Sequence, residues 1–403
     1  MAALKSTFRK FVSHTPLPVH RILTKAKVKN LTRHVMPDSE TRKCEKNEQY
    51  RLNAVKKQMK KFPKQTKRMN RKIEAILSKN PKYGKLSEAE KRPIIEDMQF
   101  CWFGYGFEID EYVFLDLGGV NKDVHKRRQM VSETERWSFR FCANDFTNDV
   151  YADKASAYLK LKPLYKRDAV VIETNKDKEK FLEFVKDKTE VVQKNVSSSR
   201  GKGVKLVKLD TYPGGKDTYF NDLLKTGKTL LEEVIVQHPD MKSFNPDSVN
   251  TVRLSTFYTK SGVIAPYGFF RTGRKGSFID NCATGGVFST IDAKNGIVCS
   301  DSCDEFGNRY SVHPDSKKAL KGFKLPEWDK AVQLCTQAAL LTPDIKYLSW
   351  DLAYSEKYGW EIVEVNTSGQ LLQQAGTLKG IRTDFKKIID NMDLLIPFTI
   401  RAD

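Results

Sequence analysis

The sequence predicts an α+β chain led by a basic helical segment, and three observations carry that expectation. Helical and strand-like stretches interleave beyond about residue 100, without the long alternation of a doubly wound parallel sheet. The charge is lopsided: residues 1–100 hold 26 Lys and Arg against 9 Asp and Glu, and residues 101–403 hold 44 against 41. The formal net charge of +20 thus belongs to an N-terminal quarter attached to a nearly neutral body. Near the C-terminus, strand-like runs at 347–355 and 360–366 flank Glu356-Lys357-Tyr358-Gly359, which suits a tight hairpin connection.

At 403 residues there is room for two or three domains. The expected division is a basic, mostly helical region at 1–98, a lead-in α/β segment at 99–165, a small subdomain at 166–240 and a large one at 241–403. No run of about 18 apolar residues exists to span a membrane. Lys5, Arg9 and Lys10 interrupt any signal-peptide core. The seven cysteines are odd in number and scattered; only Cys299 and Cys303 are close, and no second pair completes a zinc set. A reducing, cytoplasmic setting is expected.

Residues 1–37 carry eight Lys and Arg and no acid. Leu4, Phe8, Phe11 and Val12 form an apolar stripe that Pro16 and Pro18 stop. Such a stripe serves an anionic membrane surface, on the inner face for a cytoplasmic protein, or docks on the protein's own body; a frayed terminus and a mitochondrial-type presequence are the other readings. Residues 45–78 read as helical, interrupted at Pro63. Their basic face has few interleaved aromatics, so a solvated surface is expected over a nucleic-acid site. Ser87-Glu88-Ala89-Glu90 is a capping box opening a helix to Met98, and the aromatic run at 100–107 reads as core. Strands are expected at 112–117, 170–173, 190–194, 204–209, 229–236, 250–258, 263–270 and 287–291. Helices are expected at 151–161, 176–188, 217–226 and 327–341, with 127–141 mixed.

Three stretches bear chemistry. The run Ser197-Ser198-Ser199-Arg200-Gly201-Lys202-Gly203 lies between two strands and can close over phosphates with backbone N–H groups, hydroxyls and Lys202. It lacks Walker spacing, and a mobile hairpin tip is the alternative. Glu232 and Glu233, followed by Val234 and Ile235, would present backbone and carboxylate to an adenine edge, or form a plain edge strand. In the C-terminal hairpin, Asp351 faces Glu364 if the turn centres between Lys357 and Tyr358, and Asn366 shares the Glu364 side. Opposed carboxylates repel. A hard cation such as Mg²⁺ would relieve them, unless the face is simply solvated. Arg253 and Arg271 are natural anion clamps.

The ordered set of Asp153-Lys154, Lys194, the SSSRGKG loop, LLEEVI, NTVR and WD…EVNTSG resembles ATP-grasp enzymes. It is most similar to the sugar-transfer-associated branch found with bacterial polysaccharide and capsule biosynthesis, related to teichuronopeptide-type proteins. The resemblance implies two α+β subdomains clamping ATP. It implies that Lys154 and Lys194 contact its phosphates, with Ser199, Gly201, Lys202 and Gly203 folded over them. Glu232, Glu233, Val234 and Ile235 would hold adenine, and His238 or Gln237 the ribose, because the acidic ribose contact of many members is absent here. Asp351, Glu364 and Asn366 would hold Mg²⁺, and Arg253 and Arg271 would stabilise the transferred phosphoryl group or the acceptor. The implied reaction is ATP-dependent ligation of a carboxylate, on a sugar or glycan precursor, to an amine or amino acid. Phosphoryl transfer to a sugar hydroxyl and a non-catalytic basic nucleotide-binding module are the alternatives.

Overall fold

A computed structural model describes residues 17–147, 150–151, 153–196, 203–282, 285–367 and 369–401. Two antiparallel sheets organise it. The smaller has the order β1-β4-β2-β3, with β1 at Ala169–Ile172, β2 at Glu190–Asn195, β3 at Val204–Lys208 and β4 at Thr229–Glu232. Ile172, Val191 and Leu231 are buried beneath the helices Lys178–Val185 and Gly215–Thr226, which contribute Phe181, Tyr219 and Phe220.

The larger sheet runs β10-β9-β7-β6-β5-β11-β12, with β8 attached to β7. Its long strands are β5 (Thr251–Thr259), β6 (Gly262–Thr272), β7 (Val287–Asp292), β11 (Tyr347–Ser355) and β12 (Gly359–Asn366). Short pieces at Ile297–Val298, Ser302–Cys303 and Arg309–Tyr310 form β8, β9 and β10. Strand β11 is buried along its whole length between β5 and β12. Trp350, Leu352, Trp360 and Ile362 pack on the helix Trp328–Leu340. The two-residue period of a strand then places Asp351 on the opposite face.

The hairpin closes Ser355 onto Gly359, so its turn is centred on Lys357, half a residue from the expected place. An irregularity after Asp351 restores the count, and Asp351 pairs with Glu364 and Ser349 with Asn366. Gly359 takes φ 69°, a conformation that side chains with a Cβ resist.

The basic helices Glu48–Lys61 and Pro63–Lys79 divide at Pro63, and Ser87 and Glu90 form the capping box of Glu88–Phe100. Phe100, Trp102, Phe103 and Phe107 are almost fully buried and join Met69 and Ile73 to Phe269 and Phe288 of the larger sheet. The aromatic run is the rivet between the basic region and the body.

Three expectations are corrected. Residues 112–117 are not a strand; Ile109–Phe114 is a helix, opened by a reciprocal Glu108–Glu111 box that outweighs local strand preference. Residues 127–141 resolve into the helices Val124–Gln129 and Glu133–Ala143. The strand expected at 229–236 stops at Glu232, because Glu233 N–H donates to Asp168 C=O and the chain then crosses to the larger sheet. There His238 N–H donates to Tyr354 C=O, and Glu356 N–H to Val236 C=O. Among the described residues, no helix is long and apolar enough to cross a membrane. The apolar stripe at residues 4–12, with Ser199, Gly201 and Lys202, lies outside the described residues.

Candidate active site

Three charged groups gather where β12 meets the smaller sheet. In the first, Glu232 at the end of β4 has both carboxylate oxygens engaged. Oε2 accepts from Lys194 at 2.6 Å and Arg167 at 3.0 Å, and Oε1 from Tyr165 at 2.7 Å. Burial alone would push its pKa up; Arg167 and Lys194 outweigh burial and hold it at about 2. The same cations reach the larger sheet: Lys194 Nζ donates to Val363 C=O at 3.1 Å, and Arg167 Nη1 to Ile362 C=O at 2.7 Å. The network therefore ties β2 and β4 to β12. The Glu232 carboxylate, expected at an adenine amine, is buried and serves these three partners.

The second group is open. Lys154 begins the helix Lys154–Leu161, whose first turn is capped by the Asp153 carboxylate, and its ammonium lies 3.7 Å from Glu364. The Glu364 side chain is 41% exposed, against 6% for Asp351. Two positions on, Asn366 Nδ2 is buried with no hydrogen-bond partner among the described residues. A buried orphan N–H₂ of this kind points to a missing acceptor, such as a phosphate or water oxygen.

In the third group Asp351 accepts from Arg253 at 2.5 and 2.6 Å, and Arg271 Nη2 lies 3.0 Å from Asp351 Oδ2. Arg271 also donates to Thr251 at 2.6 Å and stands 3.6 Å from Asp280. Burial would raise the Asp351 pKa, but Arg253 and then Arg271 prevail and hold it at about 2. Opposed Asp351 and Glu364 were expected to need a metal ion; guanidinium groups already neutralise Asp351. The carboxylate left open for an ion is Glu364, and the unpartnered Asn366 Nδ2 beside it is a donor for a phosphate or water oxygen. The free edge of Arg253 points on, donating from Nη1 to Gln370 Oε1 at 2.6 Å.

The other expected residues divide. Val234 and Ile235 occupy the crossing between the sheets, where their N–H and C=O groups make no backbone hydrogen bond among the described residues. Glu233 is a latch instead: it accepts from Asp168 N–H and from Lys357, both at 3.1 Å. Gly203, with φ 88°, accepts from Asn195 N–H at 2.9 Å and closes the base of the loop. His238 is placed elsewhere. It packs on Tyr354 and lines a cavity of about 380 Å³ with Lys166, Glu327, Tyr358 and Trp360, away from the Lys154–Glu364 group. Gln237 is consumed by Asn250.

Sequence reasoning missed Arg167 and Tyr165, and it missed a clamp from the helix Glu133–Ala143. Arg140 donates to Thr367 C=O and, at 2.9 Å, to its hydroxyl; Arg136 donates to Gly369 C=O at 2.5 Å. Both arginines are buried, four residues apart on one helix face. Basic residues at that spacing within the aromatic run RWSFRF were the available signal. Thr367 follows Asn366 directly, so the clamp sets the backbone that carries the open amide.

Two antiparallel sheets joined through a crossing segment, with lysines directed at the last strand, define an ATP-grasp protein. The chain belongs to the sugar-transfer associated ATP-grasp family, whose model matches residues 163–389. Arg136, Arg140 and Lys154 lie before that match. Similar solved structures include the ATP-grasp ligase PsnB with a minimal precursor (10% identity, TM-score 0.37, 62% of this chain and 64% of that one). Others are N5-carboxyaminoimidazole ribonucleotide synthetase from Thermotoga maritima (11%, 0.36, 64% and 52%) and D-alanine-D-alanine ligase from Coxiella burnetii (9%, 0.38, 64% and 65%). The chain thus spans between about half and two thirds of these proteins' lengths. No curated protein matches it.

Among the described residues, no cluster of three or more His, Cys, Asp and Glu side chains could hold a metal alone. Magnesium commonly binds through one or two carboxylates plus substrate phosphates and water. An exposed Glu364 carboxylate, with an Asn366 N–H₂ and the ammonium groups of Lys154 and Lys194 near it for phosphate oxygens, fits that habit.

Proposed function

We propose that the chain is an ATP- and Mg²⁺-dependent ligase that activates a carboxylate as an acyl phosphate and joins it to an amine. The observation that carries this is the approach of Lys154 and Lys194 to the open end of β12, beside Glu364, Asn366 and Arg253. The free backbone edge of Val234 and Ile235 would hold adenine. Lys154 and Lys194 would hold phosphates, aided by the loop with Ser199, Gly201, Lys202 and Gly203. Glu364 and Asn366 would hold Mg²⁺, which when bound draws negative charge from the phosphates. Asp351 fixes Arg253, and Arg253 faces the transferring phosphoryl group or the acceptor, where a planar guanidinium is an apt partner. The acceptor carboxylate oxygen bonds to the γ-phosphorus as its bond to the ADP oxygen breaks. The amine nitrogen then bonds to the carbonyl carbon, phosphate departs, and the amine's surplus proton passes to solvent.

Membership of a family described as sugar-transfer associated supports a carboxylate-bearing sugar or glycan precursor as acceptor, with an amine or amino acid as partner. Incubation with ATP, Mg²⁺, hydroxylamine and candidate uronic acids should yield a hydroxamate and ADP. A phosphorylated sugar instead would move the reading to phosphotransfer. Glu364→Gln should lower turnover at least a hundredfold with an unchanged melting temperature; retained activity would remove the metal assignment. A contact of residues 1–37 with anionic membrane is favoured by Leu17, Val19 and Ile22, which are exposed on a helix holding no acid. Changing all three to Ser should weaken sedimentation with phosphatidylserine vesicles, and unchanged binding would sink that contact.

A further inference from the structure

The helices Glu48–Lys61 and Pro63–Lys79 carry a charge imbalance that folding does not call for. Between Glu48 and Glu74 lie ten Lys and Arg and no Asp or Glu. Three of the ten have acidic partners: Arg51 with Glu48, and Arg68 and Lys72 with Glu108. The other seven are Lys56, Lys57, Lys60, Lys61, Lys64, Lys67 and Arg71. All are exposed and, among the described residues, none has an ion pair. Some cations elsewhere in the region are matched, as in Arg42–Asp38, Lys91–Glu88 and Arg92–Glu96.

Their spacing makes a track. Lys56 and Lys60, Lys57 and Lys61, and Lys64, Lys67 and Arg71 fall three or four residues apart, which puts like charges about 6 Å from one another. Each such pair destabilises its helix. The buried side of these helices holds Val55, Met69, Ile73 and Ile76, so the fold gains its stability from the other face. A surface that repels itself, where alternating signs would be cheaper, breaks a local rule in the way functional surfaces do.

We infer that this track is a docking surface for a linear anionic glycan, the polymeric body of the acceptor in the ligase reading, on which the inference rests. A polyuronate carries one carboxylate on each sugar ring, a repeat of the same order as the track's step. Lysine heads, compact and mobile, suit diffuse attraction to such a chain better than fork-like phosphate recognition. A membrane is disfavoured because the track exposes no large apolar side chain; Tyr50, at the start of the first helix, is tied to Glu40. Single-stranded nucleic acid is disfavoured because Tyr50, tied to Glu40 at one end, is the one exposed aromatic on these helices among the described residues, which leaves no row of rings for bases to stack on.

The test compares the full chain with a Lys60→Gln, Lys64→Gln, Lys67→Gln, Arg71→Gln variant. The probes are polygalacturonate oligomers, neutral dextran, a 20-mer of single-stranded DNA, and phosphatidylserine vesicles, at two salt concentrations. The expected result is salt-sensitive binding of polygalacturonate but not dextran, weakened at least tenfold in the variant. The variant should melt at the same or a higher temperature and keep the wild-type thermal shift with ADP, because only self-repulsion was removed. The inference is overturned if polygalacturonate does not bind, if the variant loses more affinity for DNA or vesicles than for polygalacturonate, or if the variant binds polygalacturonate equally well. A variant that melts lower would show that the lysines serve the fold, and would overturn it too. The hydroxylamine assay reports separately on ligation, so a failure there is distinguishable from a failure here.

Discussion

The body and the basic helices carry their positive charge in opposite ways. In the body, Arg167 is locked on Glu232, Arg253 and Arg271 on Asp351, and Arg382 on Glu135. On the helices, seven exposed cations have no ion pair among the described residues. A buried charge without a partner costs several kcal/mol, so the body commits its cations to fixed geometry. An exposed charge costs little, and such a surplus can be held ready for a partner. The contrast separates charges that build a site from charges that recruit to it.

Breaking a committed charge should give the largest effect. Glu232→Gln leaves Arg167 and Lys194 buried together and should destabilise the chain by about 3–5 kcal/mol. A denaturant titration showing less than about 1 kcal/mol would mean the network is dispensable. Next comes acid. Burial would raise the Glu232 and Asp351 pKa values, but the neighbouring cations hold both near 2, below the ordinary carboxylate range. Their contribution is present above about pH 4.5, where the unfolded groups are also ionised, and is lost as pH falls toward 2. Each is worth on the order of 2–3 kcal/mol. His34 adds an earlier step. Burial, then Arg68, holds its pKa at about 4, so its neutral-state contribution is complete above about pH 6.5 and erodes toward 4. Stability measured against pH should therefore fall in two stages; a single fall below pH 4 would remove His34 from the account.

Arg140→Met should cost about 1–3 kcal/mol by orphaning the Thr367 carbonyl. It should also reduce the Mg²⁺-dependent part of the ADP thermal shift more than the Mg²⁺-free part. Equal reduction of both would make the clamp purely architectural. At the small end, Arg92→Ala, which breaks an exposed pair with Glu96, should change stability by less than about 0.5 kcal/mol.

Much of this was legible along the chain. The Pro63 break, the Ser87 box and the facing of Asp351 and Glu364 rest on local pattern, and local pattern is what a sequence displays. The strand expected at 112–117 failed because aromatic and β-branched content was weighed without the Glu108–Glu111 box. The roles of Glu232 and Asp351 were harder to see, because Arg167 and Arg253 are 65 and 98 residues away from the carboxylates that hold them. Nothing in either neighbourhood says which oxygens remain free.

The sequence by itself determined the family, the hairpin pairing and the surplus charge of the first hundred residues. These follow from side-chain type and spacing, which act over one turn or one strand pair. Only the tertiary structure decided that Asp351 answers to two guanidiniums while Glu364 and Asn366 stay open. It alone showed Arg136 and Arg140 holding the carbonyls of Gly369 and Thr367, and seven lysine and arginine heads without an ion pair among the described residues. The physical reason is that neutralisation of a charge depends on what the fold brings within a few ångströms, and that distance is set by packing between segments remote in the chain.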